Sequence, residues 1–423
     1  MPDTPLAATI FALTYAVIVS ERVHKTTAAL AGAVVMIAAH VLDQEEAFDA
    51  IDFNVIFLLA GMMIIVGVLG KTGVFQWIAI RSAKLGRGDP LRILIVLSLV
   101  TAIASAFLDN VTTVVLIAPV TIFVAGSLRV SAVPFLISEA LASNIGGTAT
   151  LIGDPPNILI GSAANLDFLD FLTNIAPLVV LLLILYFLAV PYLFLRGVRA
   201  DPEVQRRIMA LDETGVITDP VLLRVSSAVL GLTLVGFLFH GLLDYEPASV
   251  ALMGASLLLL VTRQDPHDIL RDIEWPTLFF FVGLFIVVGG VEEVGILEDI
   301  GQRLAEWTEG SRLAAALLIL WVSAFSSGIV DNIPYTAAMI PVVREMDASH
   351  PGNDNALWWA LALGADLGGN LTIVAASANV LVSNLAERGG ERIPFWQFFR
   401  YGLVVTIGTT TVSMIYLWLR YLL

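Results

Sequence analysis

Two pairs of short polar segments interrupt an otherwise apolar chain, and their residue types are those that hold small solutes and ions inside membranes. The first pair is Ala106-Phe107-Leu108-Asp109-Asn110-Val111-Thr112-Thr113 and Gly328-Ile329-Val330-Asp331-Asn332-Ile333-Pro334-Tyr335. The second pair runs from Ser143 to Asn157 and from Ala365 to Asn379. It carries Ser143, Asn144, Gly146, Gly147, Thr148, Asp154 and Asn157 in one copy, and Asp366, Gly368, Gly369, Asn370, Thr372, Ser377 and Asn379 in the other. Gly-Gly and Pro-Pro cannot continue an ordinary helix, so each copy of the second pair predicts a broken crossing. Unwound backbone at that depth is tolerated only inside protein or beside a water-filled cavity. Its freed carbonyls, half-helix N-termini and short polar side chains then form a binding site. Buried polar packing is the plain alternative. Asp-Asn also favours turns, because both side chains can bond nearby amides. A carboxylate at membrane depth, however, costs about 2.5–3.5 kcal/mol on insertion scales and tends to mark a pathway. Asp109, Asn110, Asp331 and Asn332 are therefore read as the polar tips of two re-entrant hairpins, lining one cavity from opposite sides.

The two copies are not identical, and the differences narrow the chemistry. Asp366 faces Asn144 in the repeat, Asn370 faces Thr148, and Asp154 faces Ala376. Asp366 has no acidic counterpart, so its charge was not needed merely to build the fold. It is the candidate for proton coupling, with helix capping or sodium binding as the alternatives. Glu139, one turn before Ser143, faces Leu361; it serves a proton path or is tied up in a helix contact. The five histidines form no i,i+4 pair and there is no cysteine, so no metal centre, cofactor or thiolate chemistry is expected. An intramembrane aspartyl protease would need paired catalytic aspartates, and Gly153-Asp154 lacks the preceding glycine spacing. No enzyme activity is expected.

The elements that position these segments follow from composition. Apolar residues make up 58% of the 423 residues and charged residues 14%, which excludes a soluble enzyme, a nucleic-acid binder and a secreted module. The N-terminus has no basic region before its apolar run, so no cleaved signal peptide is expected. Uncharged blocks outline an all-α polytopic membrane protein built from two inverted repeats of five transmembrane helices, each with a re-entrant hairpin and a broken helix. The first repeat covers 1–198 with its hairpin at 93–128. A cytoplasmic linker covers 199–224, and the second repeat covers 225–423 with its hairpin at 313–343. The register is checkable, because Asp109-Asn110, Pro119, Gly146-Gly147, Thr150 and Asn157 all recur 222 positions later. A single ungapped offset over such a span indicates duplication. Charge sets the hand. The Arg81–Arg92 loop is basic and its counterpart around Glu292–Glu309 is acidic, so equivalent loops face opposite sides. All Lys and Arg residues except Arg303, Arg312, Arg344 and Arg420 then fall on the cytoplasmic side, with both termini outside. Arg22 and Lys25 count among the cytoplasmic loop charges, and no Lys or Arg is expected in the binding segments.

The strings Phe107 to Thr113, Ser143 to Asn157 and Leu367 to Asn379 resemble the ion transporter superfamily, in particular its arsenite-efflux permease and P-protein branch. The resemblance covers nearly the whole chain. It implies proton-driven efflux of arsenite and antimonite by alternating access in the inner (plasma) membrane. A homodimer and an arsenical-pump ATPase partner are further implications. Related branches carry sodium, dicarboxylates, citrate or silicic acid, so a sodium/proton antiporter or an anion transporter stays open. Asp366 is like the arsenite permeases, whereas Gly369-Asn370 and Ser377-Ala378-Asn379 are like the P-protein. Arsenious acid is an uncharged trihydroxide at neutral pH, suited to Asn, Thr, Ser and carboxylate partners. Sodium suits carboxylates and unwound carbonyls equally.

Overall fold

The computed structural model describes residues 4–194 and 215–423 except positions 21, 244, 351 and 353, together with 206, 209, 210 and 213. Arg196, Arg199 and Arg207, and with them much of the first part of the expected linker, lie outside the described residues. The first half contains α1 (Thr4–Ser20), α2 (Lys25–Ala38), α3 (Gln44–Asp49), α4 (Phe53–Gly70), α5 (Val74–Leu85), α6 (Pro90–Leu108), α7 (Asn110–Leu128), α8 (Val133–Gly147), α9 (Pro155–Ala164), α10 (Phe168–Asn174) and α11 (Ala176–Leu193). The second contains α12 (Pro220–Phe239), α13 (Pro247–Thr262), α14 (Pro266–Leu270), α15 (Trp275–Glu293), α16 (Ile296–Trp307), α17 (Arg312–Ser327), α18 (Asn332–Ser349), α19 (Ala356–Gly368), α20 (Ser377–Arg388) and α21 (Phe395–Tyr421). Seven of these helices are long and apolar enough to cross a membrane, including both legs of the first hairpin, α6 and α7. The chain is a multi-pass membrane protein.

Local chemistry starts and stops these helices where the polar segments need them. Asp89 accepts from the Arg92 amide at 2.9 Å and Pro90 opens α6. Asp219 and Pro220 do the same for α12. A capping carboxylate satisfies free amides that would otherwise be carried into the bilayer, and proline at the first position removes one more.

The duplication is visible in the packing. A Cβ at Gly61 of α4 would stand 2.8 Å from the Ala251 backbone of α13, and one at Gly283 of α15 would stand 2.6 Å from the Ala29 backbone of α2. These positions differ by 222, so one crossing is made twice with the halves exchanged. Small residues at a crossing let backbones meet, which is how membrane helices gain packing where no hydrophobic drive separates protein from lipid. The site-forming helices use the same device. A Cβ at Gly146 of α8 would meet the Ala102 carbonyl of α6 at 2.1 Å, and one at Gly368 of α19 would meet the Ala324 carbonyl of α17 at 2.5 Å.

One expectation changes. The charged stretches read as loops around Arg81–Arg92 and Glu292–Glu309 contain helices α5 and α16, whose bounds coincide after the 222-residue shift. Their charges lie along one face while Leu297, Gly301 and Ala305 of α16 are buried. They are amphipathic connectors feeding the hairpins. The Gly-Gly pairs, as expected, close their helices. α8 runs through Gly147 and α19 through Gly368, and the unwound stretches are 148–154 and 369–376.

Valine at Gly146 or Gly368 should therefore lower thermal stability in detergent by about 1–3 kcal/mol through overpacking. Alanine at Gly126 or Gly408, where a Cβ meets nothing within 4 Å, should leave the melting temperature within a degree or two. Equal melting of all four variants would mean that the helices do not approach this closely.

Candidate functional site

Each hairpin reverses at its Asp-Asn pair, yet the two tips are built differently. Asp109 alone joins α6 to α7, with φ 82° and ψ 151°. That region is almost exclusive to glycine and costs another residue about 1–3 kcal/mol. Its carboxylate accepts from the Thr112 amide at 2.8 Å. The second tip uses residues 328–331, and Asp331 has an ordinary negative φ while capping the Ile333 amide at 3.1 Å.

Each unwound stretch is stitched to its own hairpin by equivalent bonds. Thr150 Oγ1 donates to the Ala106 carbonyl, and Thr372 Oγ1 donates to the Gly328 carbonyl at 2.8 Å. Asn157 Nδ2 reaches the Thr150 carbonyl at 3.0 Å, and Asn379 Nδ2 reaches the Thr372 carbonyl at 2.9 Å. Asn379 also donates to the Gly369 carbonyl at 2.7 Å, and Asn157 more loosely to the Gly147 carbonyl at 3.4 Å. Ser105 and Ser327, on the hairpin legs, donate to the Ser143 and Ala365 carbonyls at 2.8 and 2.6 Å. Ser143 returns its hydroxyl to Ser105 at 3.0 Å. Gly147 and Gly369 thus act through their carbonyls, and Gly146 and Gly368 through close approach.

The centre lies where the repeats meet. Asn110 Nδ2 donates to Asp154 Oδ2 at 2.7 Å and Asn332 Nδ2 donates to Asp154 Oδ1 at 3.3 Å. One carboxylate therefore gathers the tips of both hairpins inside the protein. Asn144 crosses between repeats, donating to Asn379 Oδ1 at 3.1 Å and Asn370 Oδ1 at 3.2 Å. Asp366, at the equivalent position, faces Thr148 and Asn157 and neighbours Asp154. Asn110, Asn144, Thr148, Asp154, Asn157, Asp366, Asn370 and Asn379 are all buried. Within this cluster, Asp366 Oδ1 and Oδ2, Asn110 Oδ1, Asn157 Oδ1 and Asn370 Nδ2 have no hydrogen-bond partner among the described residues. Native proteins rarely leave buried polar atoms orphaned, so this cluster is the candidate binding place.

Three residues stand elsewhere. Glu139 is fully buried and accepts from Thr121 at 2.5 Å on the second leg of its hairpin. That is the helix contact allowed for it, away from the Asn-rich centre. Asp331 and Ser377 do not join the centre either. Lys25, read as a loop charge, opens α2 and places its Nζ 2.7 Å from Asp331 Oδ2 and 2.6 Å from Ser377 Oγ. The polar segments themselves hold no Lys or Arg, as expected, but a neighbouring helix brings a cation to those of the second repeat. Asp109 and Asp331 therefore do not line one cavity symmetrically. The repeat offset was the signal for Ser105 and Ser327, which the sequence reading passed over. For Lys25 there was none, since its partner is distant in sequence.

Two cavities flank the centre. One of about 450 Å³ is lined by Lys25, Asp331, Ser377, Glu274 and Val374 among others, the other of about 330 Å³ by Asn54, Ser162, Asp167, His240 and Glu246 among others. Many lining positions are related by the repeat offset, so these are twin cavities on the two sides of the centre. The larger exposes the second hairpin's tip, at Ile329, Val330 and Asp331. Asp109 lines neither.

Residues 15–364 match the citrate transporter family (CitMHS). An uncharacterized transporter of Mycobacterium tuberculosis is 49% identical over 98% of both chains. The human P protein is 33% identical over 97% of this chain, which spans 59% of that longer protein. Among solved structures, the YdaH transporter of Alcanivorax borkumensis superposes with a TM-score of 0.55 at 16% identity, covering 93% of this chain and 96% of that one. That likeness is one of fold.

Removing either tip amide should disturb the centre from its own side. Asn110→Ala and Asn332→Ala each leave one Asp154 oxygen without its donor, a loss of about 1–3 kcal/mol for a buried charged acceptor. Both variants should melt several degrees lower and transport poorly. Wild-type melting of both would mean that Asp154 does not hold the tips together.

Proposed function

The chain belongs to the citrate transporter family of the ion transporter superfamily, and on that premise we propose that this transporter is a proton-coupled efflux carrier for arsenite and antimonite, working by alternating access. The observation that carries this reading is the orphaned set in the centre, four acceptor oxygens and one amide donor. An uncharged trihydroxide supplies hydroxyl protons to such oxygens and accepts from Asn370 Nδ2. A polyanion such as citrate would instead set carboxylates against Asp154 and Asp366, with no Lys or Arg in the centre to offset them. Lys25 is the nearest alternative, and Asp331 already neutralises it.

Two neighbouring buried carboxylates need a proton or a bound cation to balance their charge. Asp154 is engaged by Asn110 and Asn332, so Asp366 is the group free to carry the proton. Protonated, it crosses neutral; ionised, it accepts the hydroxyls of the solute. Proton and solute then compete for one group, which is the simplest route to antiport. Oxygen-rich sites also suit a hard cation, so sodium is the second reading. With the Arg- and Lys-rich face in the cytoplasm, as positive charge directs, the carrier sits in the inner (plasma) membrane with both termini outside.

Everted vesicles test the reading. Arsenite and antimonite should accumulate under an imposed pH gradient, and a protonophore should abolish that accumulation. Sodium and citrate should not compete. Asp366→Asn should lose gradient-driven accumulation at least tenfold while keeping solute exchange, because Asn already stands at the equivalent position 144. Accumulation by this variant at the wild-type level would remove Asp366 from coupling. Inhibition by sodium, with no effect of the protonophore, would replace the proton with sodium.

A further inference from the structure

Lys25 takes no part in the centre, yet it ties α2 to both the second hairpin's tip and the start of α20. Its Nζ lies between Asp331 on the tip (2.7 Å) and Ser377 at the start of α20 (2.6 Å), over the Phe280 ring at 5.0 Å. Tyr15 of α1 adds a hydroxyl bond to the Pro334 carbonyl at 2.8 Å on the same side. The ion pair is only partly open to solvent, with the side chains 26% and 13% exposed. Such a pair is screened less than a surface one.

The repeat shows what happens to this contact when the halves exchange roles. The positions equivalent to Lys25 and Ser377 are Pro247 and Pro155, which offer neither a cation nor a hydroxyl. Among the described residues no Lys or Arg pairs with Asp109. The structure is itself asymmetric. Val330 lines the larger cavity, whereas its equivalent, Leu108, is 6% exposed and packed against Val66 and Phe75. In an inverted-repeat carrier the opposite state is approximated by giving each half the conformation of the other. There Asp331 adopts the arrangement that Asp109 has here, and Lys25 loses its partner. Asp109 then gains none.

We propose that Lys25 is a positioning residue of the transport cycle. By binding Asp331 and Ser377 in one state only, it selects the conformation in which the second hairpin's tip faces its cavity. A contact present in one of two states shifts their ratio by its own strength, typically about 5- to 150-fold. This rests on the alternating-access reading and is indifferent to the identity of the solute.

The chain contains no cysteine, so single introduced thiols report the two states directly. Val330→Cys and Leu108→Cys, placed separately in the full chain, are labelled with a membrane-impermeant maleimide in vesicles of both orientations. In the otherwise native chain the thiol at 330 should react fast and the one at 108 slowly. Lys25→Met should slow labelling at 330 and speed it at 108, changing their ratio roughly tenfold, and Asp331→Asn should move it the same way. Lys25→Arg should stay near the parent ratio, and the exchanged pair Lys25→Asp with Asp331→Lys should return towards it. A ratio unmoved by Lys25→Met, or moved by it but not by Asp331→Asn, overturns the proposal. So does a charge exchange that fails to restore the ratio when each single variant has shifted it. The labelling needs no substrate, so failure of arsenite transport with a moving ratio would count against the solute alone.

Discussion

A bilayer offers no water to an unpaired backbone group, and the two unwound stretches exist only because side chains meet that demand. Asn157 and Asn379 fold back onto the carbonyls of their own loops, while Thr150 and Thr372 hook those loops to the hairpin tips. Ser105 and Ser327 occupy the carbonyls one turn earlier. With the backbone satisfied locally, the remaining amides and carboxylates are free to face inward. Each bond contributes only about 1 kcal/mol net, but leaving its acceptor bare inside the protein would cost more than that. The polar centre is a by-product of repairing broken helices, and it is there that the proposed solute would be held.

Much of this was legible because it is periodic. The apolar blocks placed the crossings within a few residues, and the 222-residue offset placed the hairpins and broken helices together. The offset even specifies contacts, since Gly61 with Ala251 and Gly283 with Ala29 are one contact written twice. What escaped the sequence had other causes. α5 and α16 looked like charged loops because their apolar faces are short. At Gly146 and Gly368 the sequence marked the end of a helix but not the approaching carbonyl that excludes a side chain there. Lys25 could not be placed at all, because an ion pair across 306 residues leaves no pattern along the chain. The assignment of Asn110 and Asn332 to one carboxylate was equally invisible, as Asp154 has no repeat partner.

The residues that break the symmetry cluster at the centre and at one hairpin tip. A duplicated fold fixes the skeleton twice and leaves each copy free to differ wherever the other already secures the structure. Asn144 and Asp366 occupy one position with nearly one shape, and only the second carries charge. Asp109 and Asp331 are the same residue in unlike backbones, one in a region that favours glycine and one beside a lysine. Identity of sequence therefore does not imply identity of role, even within a single chain.

Two carboxylates without a cation in the centre also determine how the carrier responds to voltage. On the proposed mechanism, whatever neutralises Asp154 and Asp366 in one half of the cycle leaves them in the other, so the centre would differ in charge between its loaded and unloaded journeys. Each elementary charge carried through a membrane potential is worth about 2.3 kcal/mol per 100 mV. On the proposed exchange of an uncharged solute for a proton, one such charge would move per turn. The electrical gradient would then drive such a carrier alongside the chemical one, and a current would accompany every turnover.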